Sequence, residues 1–161
     1  MSKKAKGPKV LDRTDRRILE CLQADGRISN VQLARKVNLT PTPCIERVKR
    51  LERQGYIRGY TALLDPELVD ASLLVFVEID LTHKSPGAFR KFREEARHLT
   101  EIMDCHLVSG NFDYLIKARV RDMKAYRKLL GEKILSLPGV NTSRSYVVME
   151  EVKETTHLPL L

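Results

Sequence analysis

The chain has 161 residues, 42% of them hydrophobic and 31% charged, which excludes a disordered protein and is enough to bury a core. No apolar run approaches the roughly 20 residues needed to cross a bilayer, and the positively charged start, Met1 to Lys9, has no apolar segment behind it, so it does not read as a secretory signal. Cys21, Cys44 and Cys105 are odd in number and widely spaced, giving neither a disulfide framework nor a zinc pattern, and they fit a reducing cytoplasm.

The net charge of +8 is unevenly divided: residues 1–60 hold 15 Lys and Arg against 6 Asp and Glu, residues 61–161 hold 14 against 15. One half is therefore built to meet a polyanion. Nucleic acid is the first reading, an anionic membrane the second, and a solvated basic face the third.

In chain order, residues 1–10 carry four lysines with Gly7 and Pro8 and read as a mobile basic arm. A first helix begins at Asp12 as N-cap, with Asp15 in its first turn and Ile18, Leu19 and Leu22 as its apolar face. Asp25-Gly26 ends it. Ser29 and Gln32 form a capping box, flanked by an Ile28–Leu33 hydrophobic staple, for a second helix over Val31 to Val37. Asn38 follows, a residue that tolerates the left-handed backbone of a tight turn.

A third helix is capped by Thr40, with Pro41 and Pro43 in its first turn, and Gly55 closes it. Cys44, Val48 and Leu51 recur at i, i+4, i+7 as a buried stripe. That leaves Thr42, Glu46, Arg47, Lys49, Arg50 and Arg53 outside. Two short helices joined by Asn38-Leu39-Thr40, the second of them basic, describe a helix-turn-helix.

Tyr56 to Leu64 reads as a strand or hinge, broken by Asp65-Pro66. Then come a strand at Leu73–Ile79, a helix opened by Ser85-Pro86 with Phe89, Phe92, Ala96 and Leu99 inward, and a strand from Ile102 to Val108. Ser109-Gly110-Asn111 turns into a strand at Tyr114–Val120. Asp122 caps another helix with Tyr126, Leu129, Leu130, Ile134 and Leu137 inward, and Arg144 to Val152 is a last strand. The order βαββαβ predicts an α+β chain whose second part is ferredoxin-like, one antiparallel sheet with both helices on one face. Strands such as Leu73–Ile79 and Tyr146–Met149 carry apolar residues on both faces, so a second subunit is expected to cover the other face. The expected division is 1–10 arm, 11–60 helix-turn-helix, 61–71 hinge, 72–153 sheet domain and 154–161 tail.

Residues 11–55, with Asp25-Gly26-Arg27-Ile28-Ser29-Asn30, Pro41-Thr42-Pro43-Cys44 and Arg47-Val48, resemble the leucine-responsive regulatory protein/AsnC family. So do Gly59-Tyr60-Thr61-Ala62, Ser72 to Glu78, Cys105 to Gly110, Phe112-Asp113-Tyr114 and Val147 to Val152. The resemblance spans nearly the whole chain. It implies a winged helix-turn-helix, a hinge and an effector-binding (RAM) domain, in dimers that assemble into octamers or larger discs on double-stranded DNA. It also implies an effector, a free amino acid such as leucine, bound between dimers. The effector would meet the turn at Val108, Ser109, Gly110, Asn111, Phe112, Asp113 and Tyr114, with Tyr146 and Val148 of the last strand nearby. The family usually has aspartate where this chain has Asn111, a change that bears on effector choice, and often glycine where it has Asn38.

The DNA-contact set expected is Asn30, Thr42, Pro43, Glu46, Arg47, Lys49, Arg50 and Arg53. Arginine reads guanine edges in bidentate fashion, while lysine and the remaining arginines hold phosphate. The bland reading of the set is a solvated helix face. Glu46 either accepts from cytosine N4 or, as the favoured reading, pairs with Arg50 one turn on. Gly110 and Asp113 read plainly as hairpin residues. As a ligand site, the turn's N–H groups would suit a carboxylate and Asp113 an ammonium. The four histidines lack metal spacing, Cys44 reads as a packed thiol, and Glu150, Glu151 and Glu154 as a solvated strand end.

The function expected is a cytoplasmic, nucleoid-associated transcription regulator gated by an amino acid, with no metal, cofactor or membrane partner. An architectural DNA-bending protein with little ligand response is the alternative. An enzyme is disfavoured by the lack of a nucleophile–base pair or Gly-rich phosphate loop. RNA binding on the sheet is disfavoured by the missing aromatic strand motif.

Overall fold

The computed structural model describes residues 11–160; the basic arm expected at 1–10 lies outside them. The chain divides into two compact units, one taking in the chain up to Leu63 together with Lys153 onward, the other Leu64–Val152.

The first unit is built on α1 (Arg13–Ala24), α2 (Asn30–Lys36) and α3 (Pro41–Arg53). The caps expected at Asp12 and Ser29 form: Asp12 with Asp15, and Ser29 with Gln32, are reciprocal capping boxes that satisfy first-turn N–H groups. Thr40 occupies the N-cap of α3 but its side chain makes no capping bond, so the start of that helix rests on Pro41, whose ring presets the helical φ. Asn38 takes the turn between α2 and α3 at a φ of 56°, the left-handed conformation its short polar side chain tolerates. Ile18, Leu19, Leu33, Ala34, Val37, Cys44 and Leu51 are buried together as the core. Burial raises the pKa of the Cys44 thiol, as a packed thiol requires. Residues 56–64 form no strand; their backbone is irregular, so of the two readings, strand or hinge, the strand is corrected. Gly59, Thr61 and Ala62 within the run supply no bulky side chains to bury.

The C-terminal tail, to which the sequence assigned no role, belongs to this unit. Gln23 Nε2 donates to the Leu158 carbonyl at 3.1 Å and Gln23 Oε1 accepts from the Leu158 N–H at 2.7 Å, while Leu160 packs on the helical core.

The second unit has the order β1 (Leu73–Leu81), α4 (Pro86–Ala96), β2 (Ile102–Leu107), β3 (Tyr114–Val120), α5 (Met123–Lys128) and β4 (Val140–Val147). The sheet order is β2-β3-β1-β4 with every neighbouring pair antiparallel, the ferredoxin-like arrangement expected. Asp122 caps α5 through the Ala125 N–H, and the helix then widens into π geometry over Leu129–Ile134, with a Leu135 N–H to Leu130 carbonyl bond of 2.9 Å. Val75, Val77, Ile79 and Leu81 of β1 and Tyr114, Ile116, Ala118 and Val120 of β3 bury against Phe92, Ala96, Tyr126, Leu129 and Ile134, so the helices share one sheet face.

The last strand starts at Val140 rather than Arg144 and stops at Val147. Val140 pairs with Leu81 directly after Gly139, and beyond Val147 one further bond, from the Val148 N–H to the Leu74 carbonyl, closes the ladder. The sheet's other face is more polar than its apolar strands suggested. Tyr146 Oη donates to Glu78 at 3.0 Å, and both oxygens of Glu151 accept from Arg119 Nη2 at 2.6 and 2.7 Å. Glu151, read as solvated, is thus the partner of a buried arginine.

The tail contact gives a direct expectation. Leu160→Ala should weaken the first unit by about 1 kcal/mol, less than for a fully buried leucine because Leu160 is partly exposed. Hydrogen exchange of the α1 amides would report it, and unchanged α1 protection would show that the tail contributes nothing.

Candidate nucleic-acid interface and ligand turn

Cys44 and Leu51 are fully buried, and they fix the rotation of α3 about its axis. The opposite side carries Thr42, Glu46, Lys49 and Arg53, all exposed and none of them hydrogen-bonded or ion-paired through its side chain among the described residues. Asn30, at the first position of α2, is exposed as well, and Pro43 is half-buried. Pro43, Glu46, Arg47, Lys49, Arg50 and Arg53 line one shallow hollow along this flank. At the helix start, Pro41 and Pro43 lack N–H groups, so of the first three residues only Thr42 offers a backbone donor to an anion.

Arg47 and Arg50 do not stand free as the sequence reading placed them. Arg47 Nη1 lies 2.5 Å from Asp12 Oδ2 and 2.8 Å from Asp15 Oδ1, and Arg50 Nη2 bonds the same Asp15 oxygen. The Asp15 carboxylate is buried. Hydrogen bonding to Arg47 lowers the Asp12 carboxyl, and hydrogen bonding to Asp12 and Asp15 raises the Arg47 guanidinium. Arg50 therefore pairs with Asp15 and not with Glu46, which overturns the expected one-turn pair. Sequence reasoning missed Asp15, although a signal was present: it falls on the stripe of Ile18, Leu19 and Leu22 at i, i+3, i+4 and i+7. An acid on a buried face requires a cationic partner.

In the sheet unit, Ser109, Gly110 and Asn111 are exposed at the turn, and Val108 and Phe112 are half-buried. The next two residues face inward. Asp113 Oδ2 accepts the Leu81 N–H at 2.8 Å and Oδ1 meets Lys84 at 3.3 Å. The Tyr114 ring stacks on Phe92 at 4.3 Å and its hydroxyl donates to the Phe89 carbonyl at 3.3 Å. These side chains hold the hairpin to the core, and Asp113 already has an amide and an ammonium of its own chain as partners.

Tyr146 and Val148 meet β1 at Phe76 and Leu74, whereas the turn lies beside Ile79; the two sets are three to five residues apart along the strand, roughly 10–17 Å. One chain does not gather them into a single pocket. His83, His98, His106 and His157 are scattered and exposed, and no group of metal-binding type occurs among the described residues. Nor is any described helix long and apolar enough to cross a membrane.

Residues 11–58 match the model of a winged helix-turn-helix DNA-binding domain and residues 74–158 that of the Lrp/AsnC ligand binding domain. The fold and the two units thus define a DNA-binding transcription regulator that carries a ligand-binding domain. The chain is 64% identical over 157 residues to the leucine-responsive regulatory proteins of Klebsiella pneumoniae and of Escherichia coli strain K12, covering 98% of its own length and 95% of theirs. The chain belongs to the Lrp/AsnC family. Among solved structures it is similar to a transcriptional regulator of Neisseria meningitidis in complex with L-Met, with a TM-score of 0.89, 39% identity, and coverage of 93% and 97% of the two chains.

Asp113 yields a prediction with a pH sign. Burial pushes its carboxyl up, but the Leu81 N–H and the Lys84 ammonium outweigh burial and hold it below its ordinary 3.8. A carboxylate held low stabilises the folded state above its unfolded pKa, and that contribution is lost as pH falls through the lowered folded value. Asp113→Ala should weaken the sheet unit by about 1–3 kcal/mol at neutral pH by orphaning the Leu81 amide, with a gap to wild type that narrows in acid. Hydrogen exchange of the β1 and β3 amides measures it; unchanged protection would show that the Leu81 bond contributes nothing to the unit.

Proposed function

We propose that this protein is a sequence-specific DNA-binding transcription regulator of the cytoplasm, without a catalytic step or resident cofactor, whose assembly and operator binding respond to a free amino acid. Residues 11–60 serve as its DNA-binding domain, 61–71 as its hinge and 72–153 as its effector and assembly domain. The observation that carries the proposal is the outer edge of α3, where Lys49 and Arg53 are exposed and unpaired beside Thr42 and Glu46. An α-helix fits the major groove, and such a basic edge neutralises phosphates while its polar neighbours meet base edges. Asn30 and the Thr42 N–H lie where a helix-turn-helix approaches the backbone. Glu46, free of Arg50, is available to accept from cytosine N4.

The amino-acid effector is supported by the L-Met complex of the Neisseria meningitidis relative. In this chain the exposed Ser109–Phe112 turn offers backbone and side-chain groups to such a ligand. Tyr146 and Val148, distant within one chain, would join the turn from another copy. That geometry calls for a homo-oligomer, a dimer built into octamers or larger assemblies, with the effector at the seam. Binding at a seam shifts assembly, and assembly sets how many α3 edges reach one duplex; a coupling of about 1–3 kcal/mol suffices. The Asn111 of this chain, in place of the family's usual aspartate, alters the charge at that turn, and effector preference follows from it.

A duplex enriched from a random pool by the protein itself, compared with a scrambled duplex across a salt series, tests the proposal. Lys49→Ala and Arg53→Ala should each weaken binding to both duplexes and flatten the log–log salt slope by about 0.9 per lost phosphate contact. Screening the twenty amino acids for a raised melting temperature and a changed sedimentation coefficient should find at least one effector. Equal affinity for enriched and scrambled duplexes, with no amino acid shifting either readout, would support an architectural DNA-bending role and overturn this one.

A further inference from the structure

We infer that Asp15 is a specificity-determining residue of the DNA-binding unit: by holding the Arg47 and Arg50 guanidiniums against α1, it keeps two of the four cations of α3 from making sequence-blind phosphate contacts. The inference rests on the reading of α3 as the DNA surface and adds what limits that surface.

The geometry is that of a clamp. One oxygen of a carboxylate only 5% exposed takes both arginines, and Asp12 takes a second bond from Arg47. The two arginine side chains are 31% and 35% exposed, so they lie along the unit with their heads turned toward α1. Arg50 Nε is buried without a hydrogen-bond partner, and the guanidinium is anchored through Nη2 on Asp15. Two arginines and two aspartates together carry no net charge.

Competition between Asp15 and a phosphate favours the clamp on three counts. Asp15 is already held in place by the fold, so only the arginine side chains lose freedom in meeting it. It is buried, so dissolved salt screens the pair less than it screens a surface contact with DNA. Departure of the arginines would leave a buried carboxylate with no cationic partner, a strongly unfavourable state.

Sequence-independent affinity for DNA comes from counterions released at each neutralised phosphate. A recognition helix with four free cations would bind any duplex tightly, and its discrimination between duplexes would be correspondingly small. With Arg47 and Arg50 withdrawn, Lys49 and Arg53 supply the phosphate contacts of α3. The recognition surface then discriminates through Thr42 and Glu46.

The test uses the full chain with Asp15→Asn and Asp12→Asn, each bound to the enriched duplex and to the scrambled duplex over a salt series. Asparagine keeps the shape of the clamp and still accepts one bond, but, being neutral, it no longer retains the guanidiniums. Asp15→Asn should raise scrambled-duplex affinity several-fold, steepen its salt slope by roughly 1–2, and lower the ratio of enriched to scrambled affinity. Asp12→Asn should move the same way by less, since Arg47 keeps Asp15; asparagine also caps helices well, so α1 should persist in this variant even if Asp15→Asn loosens the unit. Adding Arg47→Ala and Arg50→Ala to Asp15→Asn should return the scrambled slope to its wild-type value, an outcome that loosened packing would not give.

An unchanged scrambled slope in folded Asp15→Asn and Asp12→Asn variants overturns the inference. So does loss of enriched-duplex affinity alone, which would make Arg47 and Arg50 base readers posed by Asp15. Wild-type protein that binds neither duplex would instead sink the reading of α3 on which the inference depends.

Discussion

The burial of Cys44 and Leu51 is the constraint on which the DNA-binding unit turns. Seven residues apart on α3, they are fully enclosed by Ile18, Leu19, Leu33, Ala34 and Val37, and this leaves α3 one rotation about its axis. Everything else on the helix is sorted by that rotation. Thr42, Glu46, Lys49 and Arg53 point outward, and Arg47 and Arg50 fall on the flank beside α1, within reach of Asp12 and Asp15. The packing that gives α3 its exposed edge also decides which of its cations are paired internally.

The sheet unit is sorted by a period of two instead of 3.6. Alternate residues of β1 and β3 bury against α4 and α5, and the residues between them, Phe76, Glu78, Leu115 and Lys117, face the other way. That second face is knitted by polar pairs, Tyr146 with Glu78 and Arg119 with Glu151. A face of this kind, part apolar and part paired charge, suits the interface between copies that the proposed function requires. The chain enters the sheet unit near Leu64 and leaves it after Val152 to rejoin the helices, so two covalent connections link the proposed effector domain to the proposed DNA-binding domain.

Much of this was legible in the sequence because it rests on local rules. The Asp12 cap, the Ser29 capping box, the left-handed Asn38, the βαββαβ order and the inward sets of α4 and α5 all follow from spacing within a few residues. What escaped depends on contacts across long separations. Asp15 meets Arg47 and Arg50 from another helix; Asp113 meets Leu81 from another strand; Leu158 meets Gln23 across 135 residues. In each case a polar or terminal residue that local chemistry explains cheaply, as a helix-dipole partner, a hairpin residue or a solvated tail, has a distant partner instead. β4 starts earlier than expected for a related reason: Thr142 and Ser143 are polar, and it is their pairing with Asp80 and Ile79 of β1 that extends the strand back across the irregularity at Asn141.

The most direct test of the claim that the outer edge of α3 meets DNA is lysine footprinting. The protein is acylated with and without the enriched duplex, and each lysine's modification is read by mass spectrometry. Lys49 should be protected by DNA, while the exposed Lys91, Lys124 and Lys128 of the sheet unit keep their reactivity. Protection confined to those three, with Lys49 as reactive in the complex as in the free protein, would contradict it.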